Sequence, residues 1–345
     1  MESLDSLQSY SSIISYLQNK KRTLHLLLGN GFSIAYDPSI FSYNALSDYV
    51  QDKQNEELTK LFDCVKTTNF EIVLRELRIA YKLCKTFGAE NYVLNKIVSS
   101  GKLLKKHLIE AIENLHPEHV FTISDEQCSK CYEFLQTYID NEGKIFYTNY
   151  DLLLYWVLMR SSSASMDGFG RAEPQDGEDP NETKLIWGKY KNQQSVFYLH
   201  GALPLFDDGI DVVKEEYSYG TFLIDKIRKN IAQEKYPIFV TAGSSEEKLQ
   251  HIMHNKYLEH CYEQLCSIKG SLITFGFQFG SYDNHVIDAI NKAAYNGALK
   301  DADKLWSVYI GVYSESDLNY INSIKDNFKC KVKLFDARTI NPWYS

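Results

Sequence analysis

One rhythm constrains the fold more than any other feature of the sequence. Short apolar runs, each closing on glycine or polar residues, alternate with longer stretches of helical spacing. The first run is Leu24-His25-Leu26-Leu27-Leu28, followed by Gly29-Asn30-Gly31-Phe32-Ser33. So continuous an apolar segment suits a strand buried on both faces, as in a parallel sheet. Further runs lie in "KIFYTNYD", "SVFYLHGAL", "YPIFVTAG", "GSLITFGFQFG", "LWSVYIGV" and "CKVKLFDA", and "KLIWGKY" reads as a hairpin partner of "SVFYLHGAL". Strands alternating with helices predict an α/β fold with a doubly wound parallel sheet of Rossmann-like type.

Helical spacing is predicted over 4–20 and throughout 44–115, where Ile72, Leu74, Leu77, Ala80, Leu83 and Phe87 recur every three or four residues. Ser124 and Gln127 form a capping box ahead of another helix. "LLLYWVLMR" reads as a buried helix, 245–268 as one long helix, and a further helix starts at Asp283. Residues 161–185 are rich in Ser, Gly, Pro and acid and read as a surface loop.

The chain has 345 residues, 44% of them hydrophobic and 24% charged, which suits one large domain with an insertion. Its net charge of −8 disfavours binding to nucleic acid or to anionic membranes. The N-terminal segment lacks the basic start and apolar core of a signal peptide. The longest apolar run, residues 152–159, is too short to span a bilayer. Seven scattered cysteines fit reduced thiols, so a cytoplasmic location is expected, and the sequon at Asn181 then carries no meaning.

In a doubly wound sheet the ligand sits outside the carboxyl ends of the strands. The residues there are Gly29-Asn30-Gly31, Thr148-Asn149-Tyr150-Asp151, His200-Gly201, Thr241-Ala242-Gly243-Ser244 and Gly276-Phe277-Gln278-Phe279-Gly280. Glycines after the first run allow a sharp turn and close approach to a ligand, and a phosphate suits the start of a helix. An ordinary strand-to-helix turn fits the same residues, since Ile34 stands where the dinucleotide fingerprint has its third glycine. Asn149 and Asp151 also suit helix capping, His200 suits a buried structural histidine, and Asp283 suits an N-cap. His251 and His254 read as a surface pair.

The motifs "LLLGNGFS", "FYTNYD", "YLHG" and "ITFGFQFGSYDNHV", in that order, resemble the SIR2-like domain family. The segment "VVKEEYSYG" resembles the family's acidic-tyrosine stretch. The likeness runs from about residue 24 to 310 and is to bacterial SIR2-like proteins rather than to deacylating sirtuins. It implies an N-terminal helix over 1–23 and a Rossmann domain over 24–345, with a helical insertion at about 44–115. It implies NAD+ as substrate, cleaved to nicotinamide and ADP-ribose. Asn149 would order water and ribose, His200 would act as base, and Asp151 would orient the site. NAD+ contacts would come from Gly29, Asn30, Gly31, Phe32, Ser33, Thr148, Gly276, Phe277 and Asp283, with Gly29, Gly31 and Ser33 facing the pyrophosphate.

Relatives of this kind act as triggered effectors of antiphage defence that deplete NAD+. The resemblance therefore implies an activating or inhibitory protein partner or an infection-derived signal, and a homo- or hetero-oligomer. Two departures bear on it. Asn30 stands where the family usually has alanine, which favours a second reading as a non-catalytic NAD+ or ADP-ribose sensor. A single Cys-x-x-Cys pair, Cys128 and Cys131, replaces the two pairs of the deacylases' zinc module, so no metal is expected and a deacylase is disfavoured.

Overall fold

The computed structural model describes residues 3–42, 48–49, 55–67, 70–161, 167–174, 177, 179, 183–217, 220–233, 235–240, 244–295 and 304–344. Its strands, in chain order, are β1 (Gln8–Ser9), β2 (Leu24–Leu28), β3 (Ile145–Tyr147), β4 (Phe169–Arg171), β5 (Leu185–Trp187), β6 (Val196–Tyr198), β7 (Leu205–Asp207), β8 (Val212–Lys214), β9 (Gly270–Phe275), β10 (Leu305–Val312) and β11 (Lys331–Asp336). The main sheet runs β1-β11-β10-β9-β2-β3-β6, and every pairing in it is parallel. Apart from the short edge strand β1, the strands stand in the sequential order 6-5-4-1-2-3, the doubly wound Rossmann order. The direction of winding reverses between β2 and β9. Leu24, Leu26, Leu27 and Leu28 of β2 are fully buried, as a central parallel strand requires.

Helices flank this sheet. The helical layer consists of Glu56–Val65, Phe70–Thr86 and Asn91–Leu115; the parts of the predicted block at 44–47, 50–54 and 68–69 lie outside the described residues. The capping box at Ser124 forms as predicted, and Leu153–Arg160 is a largely buried helix. Among the described residues no helix is long and apolar enough to cross a membrane.

The structure corrects several boundaries. The predicted helix over 4–20 begins only at Tyr10, because Ser9 caps it by accepting the Ser12 N–H; the residues before it make a short turn and β1. The predicted helix at 245–268 is two, Ser245–Met253 and Lys256–Cys266, since Asn255 Oδ1 accepts the N–H groups of Tyr257 and Leu258 and restarts the chain. "YPIFV" is not a sheet strand. Pro237 has no N–H to offer a ladder, and the segment runs beside the His200-Gly201 corner, where Val240 donates to the His200 carbonyl. Residues 241–243 lie outside the described residues.

"KLIWGKY" does contain a strand, β5, but it does not pair with β6. It joins β4, β7 and β8 in a separate antiparallel sheet, and β4 falls inside the predicted loop at 161–185. Residues 162–166, 175–176, 178 and 180–182 of that loop lie outside the described residues. The small sheet packs through Phe169 and Trp187 on Tyr257 of the Lys256–Cys266 helix.

Candidate functional site

The carboxyl ends of six strands of the main sheet open onto one cavity of about 1130 Å³. It begins at the reversal point, with Asn30 and Gly31 after β2 and Gly276 and Phe277 after β9. In one direction it takes in Thr148, Asn149 and Asp151 after β3 and His200 after β6. In the other it reaches Tyr313 after β10 and Ile340 after β11. The helical layer closes it with Phe70, Ile72, Arg75, Leu108 and Ile112. The volume exceeds the range of about 300–1,000 Å³ common for small-molecule pockets, so a long ligand fits.

At the reversal point two backbones press together. Gly29 N–H donates to the Phe275 carbonyl and Gly31 N–H to the Gly276 carbonyl, each at 3.0 Å. A Cβ on Gly31 would lie 2.5 Å from Gly276 Cα, and one on Gly276 would lie 2.5 Å from Gly31 Cα. Gly276 also has φ +67°, the left-handed region that favours glycine. These glycines therefore serve the contact between the β2 and β9 turns. Gly276→Ala is expected to cost about 2–5 kcal/mol from overpacking and the left-handed backbone. Urea unfolding checks this, and an unchanged midpoint would refute it.

The arrangement corrects the expectation that Gly29, Gly31 and Ser33 face a pyrophosphate with free donors. Two of those N–H groups are taken, and Ser33 is fully buried. Gly29, Phe32 and Ser33 stand behind the cavity wall. Phe32 points into the core against Tyr147 and Trp343, and its carbonyl accepts from the Trp343 indole. Asn30 lines the cavity, with its Nδ2 donating to the Phe41 carbonyl at 3.2 Å. Thr148 fastens its corner by donating through Oγ1 to the Leu28 carbonyl.

Asn149 is held from behind. Its Nδ2 donates to Gly29 O at 3.1 Å and to Ser33 Oγ at 2.7 Å, which leaves Oδ1 as the atom with capacity for a ligand. Ser33 in turn donates to Asp151 Oδ2 at 2.6 Å. Asp151 Oδ1 accepts from Tyr147 Oη at 2.6 Å and from the Leu153 N–H at 2.9 Å. Asp151 thus combines helix capping with fixing Asn149 through Ser33. His116 braces the same corner by accepting the Leu152 N–H at 2.9 Å.

His200 is 4% exposed and its Nε2 lies 3.0 Å from His285 Nε2. Burial first, then His285 and the Lys248 ammonium, hold His200 well below the usual histidine range. His285 falls to about 3 for the same reasons, burial and then Lys248. Asp283 occupies the N-cap position of the Asn284–Ala294 helix, but its side chain makes no capping hydrogen bond there. Its Oδ1 accepts from the buried Lys248 Nζ at 2.9 Å; burial raises this carboxyl and the ammonium opposes that rise.

His200, Asp283 and His285 bring ligating atoms within 4.8 Å of one another, a set that could hold a metal ion by position. A metal would have to share Asp283 with Lys248 and add charge beside an ion pair that is already neutral. The donor set suits proton handling better. His251 and His254 are exposed, as expected of a surface pair.

Sequence reasoning missed Lys248, Tyr147 and His116. Lys248 lies four residues before buried Ile252 on one helical face, and that spacing was the available signal.

Together the sheet order and the cavity define an α/β protein of Rossmann-like type with a cleft at the topological switch point. The chain belongs to the family described as a domain of unknown function, DUF4917, whose pattern matches residues 26–343. Comparison with curated proteins returns no match.

Proposed function

We propose that this protein is an NAD+ glycohydrolase that releases nicotinamide and ADP-ribose. The observation that carries the reading is that Asn149 and His200, from neighbouring strands β3 and β6, open on the same cavity as the switch point between β2 and β9. The cleft is long enough for a dinucleotide lying along the strand ends. Arg75 is the one Lys or Arg among the described residues lining it; it is half-buried and paired with Glu76, a neighbour that a pyrophosphate would have to replace. Nicotinamide leaves as a neutral base from an already cationic ring, so the site needs no strong acid. It needs an ordered water, an acceptor near the ribose and a dry pocket. Asn149 Oδ1 and a neutral His200 supply the polar groups, and the apolar helical layer excludes solvent.

A glycohydrolase of this type must be silent until triggered. We place the trigger with a protein partner or an infection-derived signal, in a cytoplasmic antiphage defence role. A second reading, an NAD+ or ADP-ribose sensor, draws support from the Gly29 and Gly31 N–H groups, which are committed to the β9 turn rather than free for phosphate.

The test is nicotinamide release from NAD+ by the purified chain, alone and with the products of neighbouring genes, alongside calorimetric NAD+ binding. Release is the expected result. Binding without release under every condition would favour the sensor, and no binding would refute both readings.

A further inference from the structure

Behind His200 stands a line of polar groups with no part in the reaction as described so far. His200 and His285 are both buried, with their Nε2 atoms 3.0 Å apart. Two neutral imidazoles meet nitrogen to nitrogen only when one of them carries the hydrogen. On the far side of His285, Ser245 Oγ lies 3.3 Å from Nδ1 and accepts the His285 backbone N–H at 2.5 Å. A carboxylate oxygen of Asp283 lies within 4.8 Å of the ligating nitrogens of both rings.

We propose that His200 and His285 form one proton-accepting unit, in which His285 is a positioning residue that takes over the charge His200 receives from the substrate side. The proposal rests on the glycohydrolase reading. When His200 acts through Nδ1, its Nε2–H donates to His285 Nε2, and His285 Nδ1–H donates to Ser245 Oγ. Water adds to C1′ of the ribose as the C1′–N bond breaks, and nicotinamide leaves with that bond's electron pair. The proton released by the water goes to His200 Nδ1. Transfer of the Nε2 hydrogen to His285 then spreads the positive charge over both rings, where the Asp283 carboxylate offsets the opposition of burial and of Lys248. No other atom or electron changes place.

The groups facing the pair come from three elements. Ser245 and Lys248 belong to the Ser245–Met253 helix, Tyr282 and Asp283 to the turn at 281–283, and His285 itself to the Asn284–Ala294 helix. Lys248 holds the Asp283 carboxylate at 2.9 Å and lies 4.8 Å from the Tyr282 ring centre. The carboxylate is thereby fixed beside the rings without taking their hydrogen.

The test uses the full chain labelled with ¹⁵N at histidine, as wild type, His285→Gln and Ser245→Ala. Glutamine keeps a hydrogen-bond partner for His200 but cannot hold a proton. At neutral pH wild type is expected to show one ring hydrogen correlated with the Nε2 atoms of both histidines, whereas in His285→Gln that hydrogen correlates with His200 alone. This readout needs no turnover. In nicotinamide release, His285→Gln is expected to lower kcat roughly 10- to 100-fold at unchanged KM and to move the acid limb of the kcat profile. Ser245→Ala should shift both in the same direction by less. A wild type in which no ring hydrogen correlates with both Nε2 atoms would overturn the shared proton, and an unchanged kcat and pH profile in His285→Gln would overturn its use. Absence of release by wild type would defeat the glycohydrolase reading and the catalytic use with it, while the spectra alone would still decide the shared proton.

Discussion

His200→Ala and Asn149→Ala are each expected to lower nicotinamide release by roughly 10²–10⁴-fold, which corresponds to about 3–5.5 kcal/mol of transition-state stabilisation. The two variants fail for different reasons. His200→Ala removes the group that takes the water's proton and leaves the cavity shape nearly intact, so kcat should fall with little change in NAD+ affinity. Asn149→Ala removes the Oδ1 that faces the ligand and also both donors to Gly29 O and Ser33 Oγ. Those acceptors then lie buried without that partner, at a stability cost of about 1–3 kcal/mol. Its loss of rate should therefore come with a lowered urea midpoint, and His200→Ala, which leaves His285 Nε2 without that partner, should lower the midpoint less. Release measured beside unfolding separates the two effects. Retention of wild-type kcat in either variant would remove that residue from the reaction.

How far the sequence spoke depended on how local the physics was. The unbroken apolar β2 and the turn after it could be read directly, because a strand buried on both faces must be apolar along its whole length. Residues just beyond a strand's carboxyl end lie at the ligand edge by topology, which is why Asn149, Asp151, His200 and Asp283 reach one cavity. Their partners were hidden. Nothing near Asp283 in sequence announces Lys248, which comes from another helix. The glycines were legible as a need for close approach, but what approaches is the β9 turn, and only the pairing of β2 with β9 reveals it. Likewise Trp343, near the chain's end, closes over Phe32 and Tyr36 through contacts that have no local signature. In the second sheet β5 was read but given the wrong partner, and β4, β7 and β8 were missed for a related reason. Three-residue strands whose partners lie across long loops leave little periodicity to read.

Acid should unfold this protein well before its carboxylates titrate. Between pH 7 and about 5, stability is expected to fall by up to about 3 kcal/mol per pH unit from His25 and His285 alone, a large share of the total of about 5–15 kcal/mol typical of a folded protein. Four buried histidines are responsible. His25, inside β2, donates from Nε2 to the Lys269 carbonyl at 2.7 Å and accepts the Lys144 N–H on Nδ1 at 3.0 Å. His116 donates from Nδ1 to the Pro117 carbonyl and accepts the Leu152 N–H on Nε2. A second ring hydrogen would confront a backbone N–H in either case. Burial lowers His25 from 6.5 to about 4, lowers His116, and with neighbouring charge holds His200 well below its usual range and His285 at about 3. Below pH 6.5 the unfolded chain takes up protons that the folded chain refuses, so stability declines with falling pH until the folded values are reached. Each group contributes about 1.4 kcal/mol per pH unit within its window. Net charge works the other way. The chain carries −8 at pH 7, and its self-repulsion shrinks toward the pI of about 5.6. Glu247, held down to about 2, gives up its contribution only as pH falls from about 4.5 toward 2. A urea midpoint that falls from pH 7 to 5.5 is therefore assignable to the histidines, and one that stays level or rises would rule them out as the determinant. The same protonation reaches the site, because a charged His116 no longer accepts the Leu152 N–H that braces the Asp151 corner behind Asn149. Activity should consequently fall with the fold on the acid side rather than outlast it.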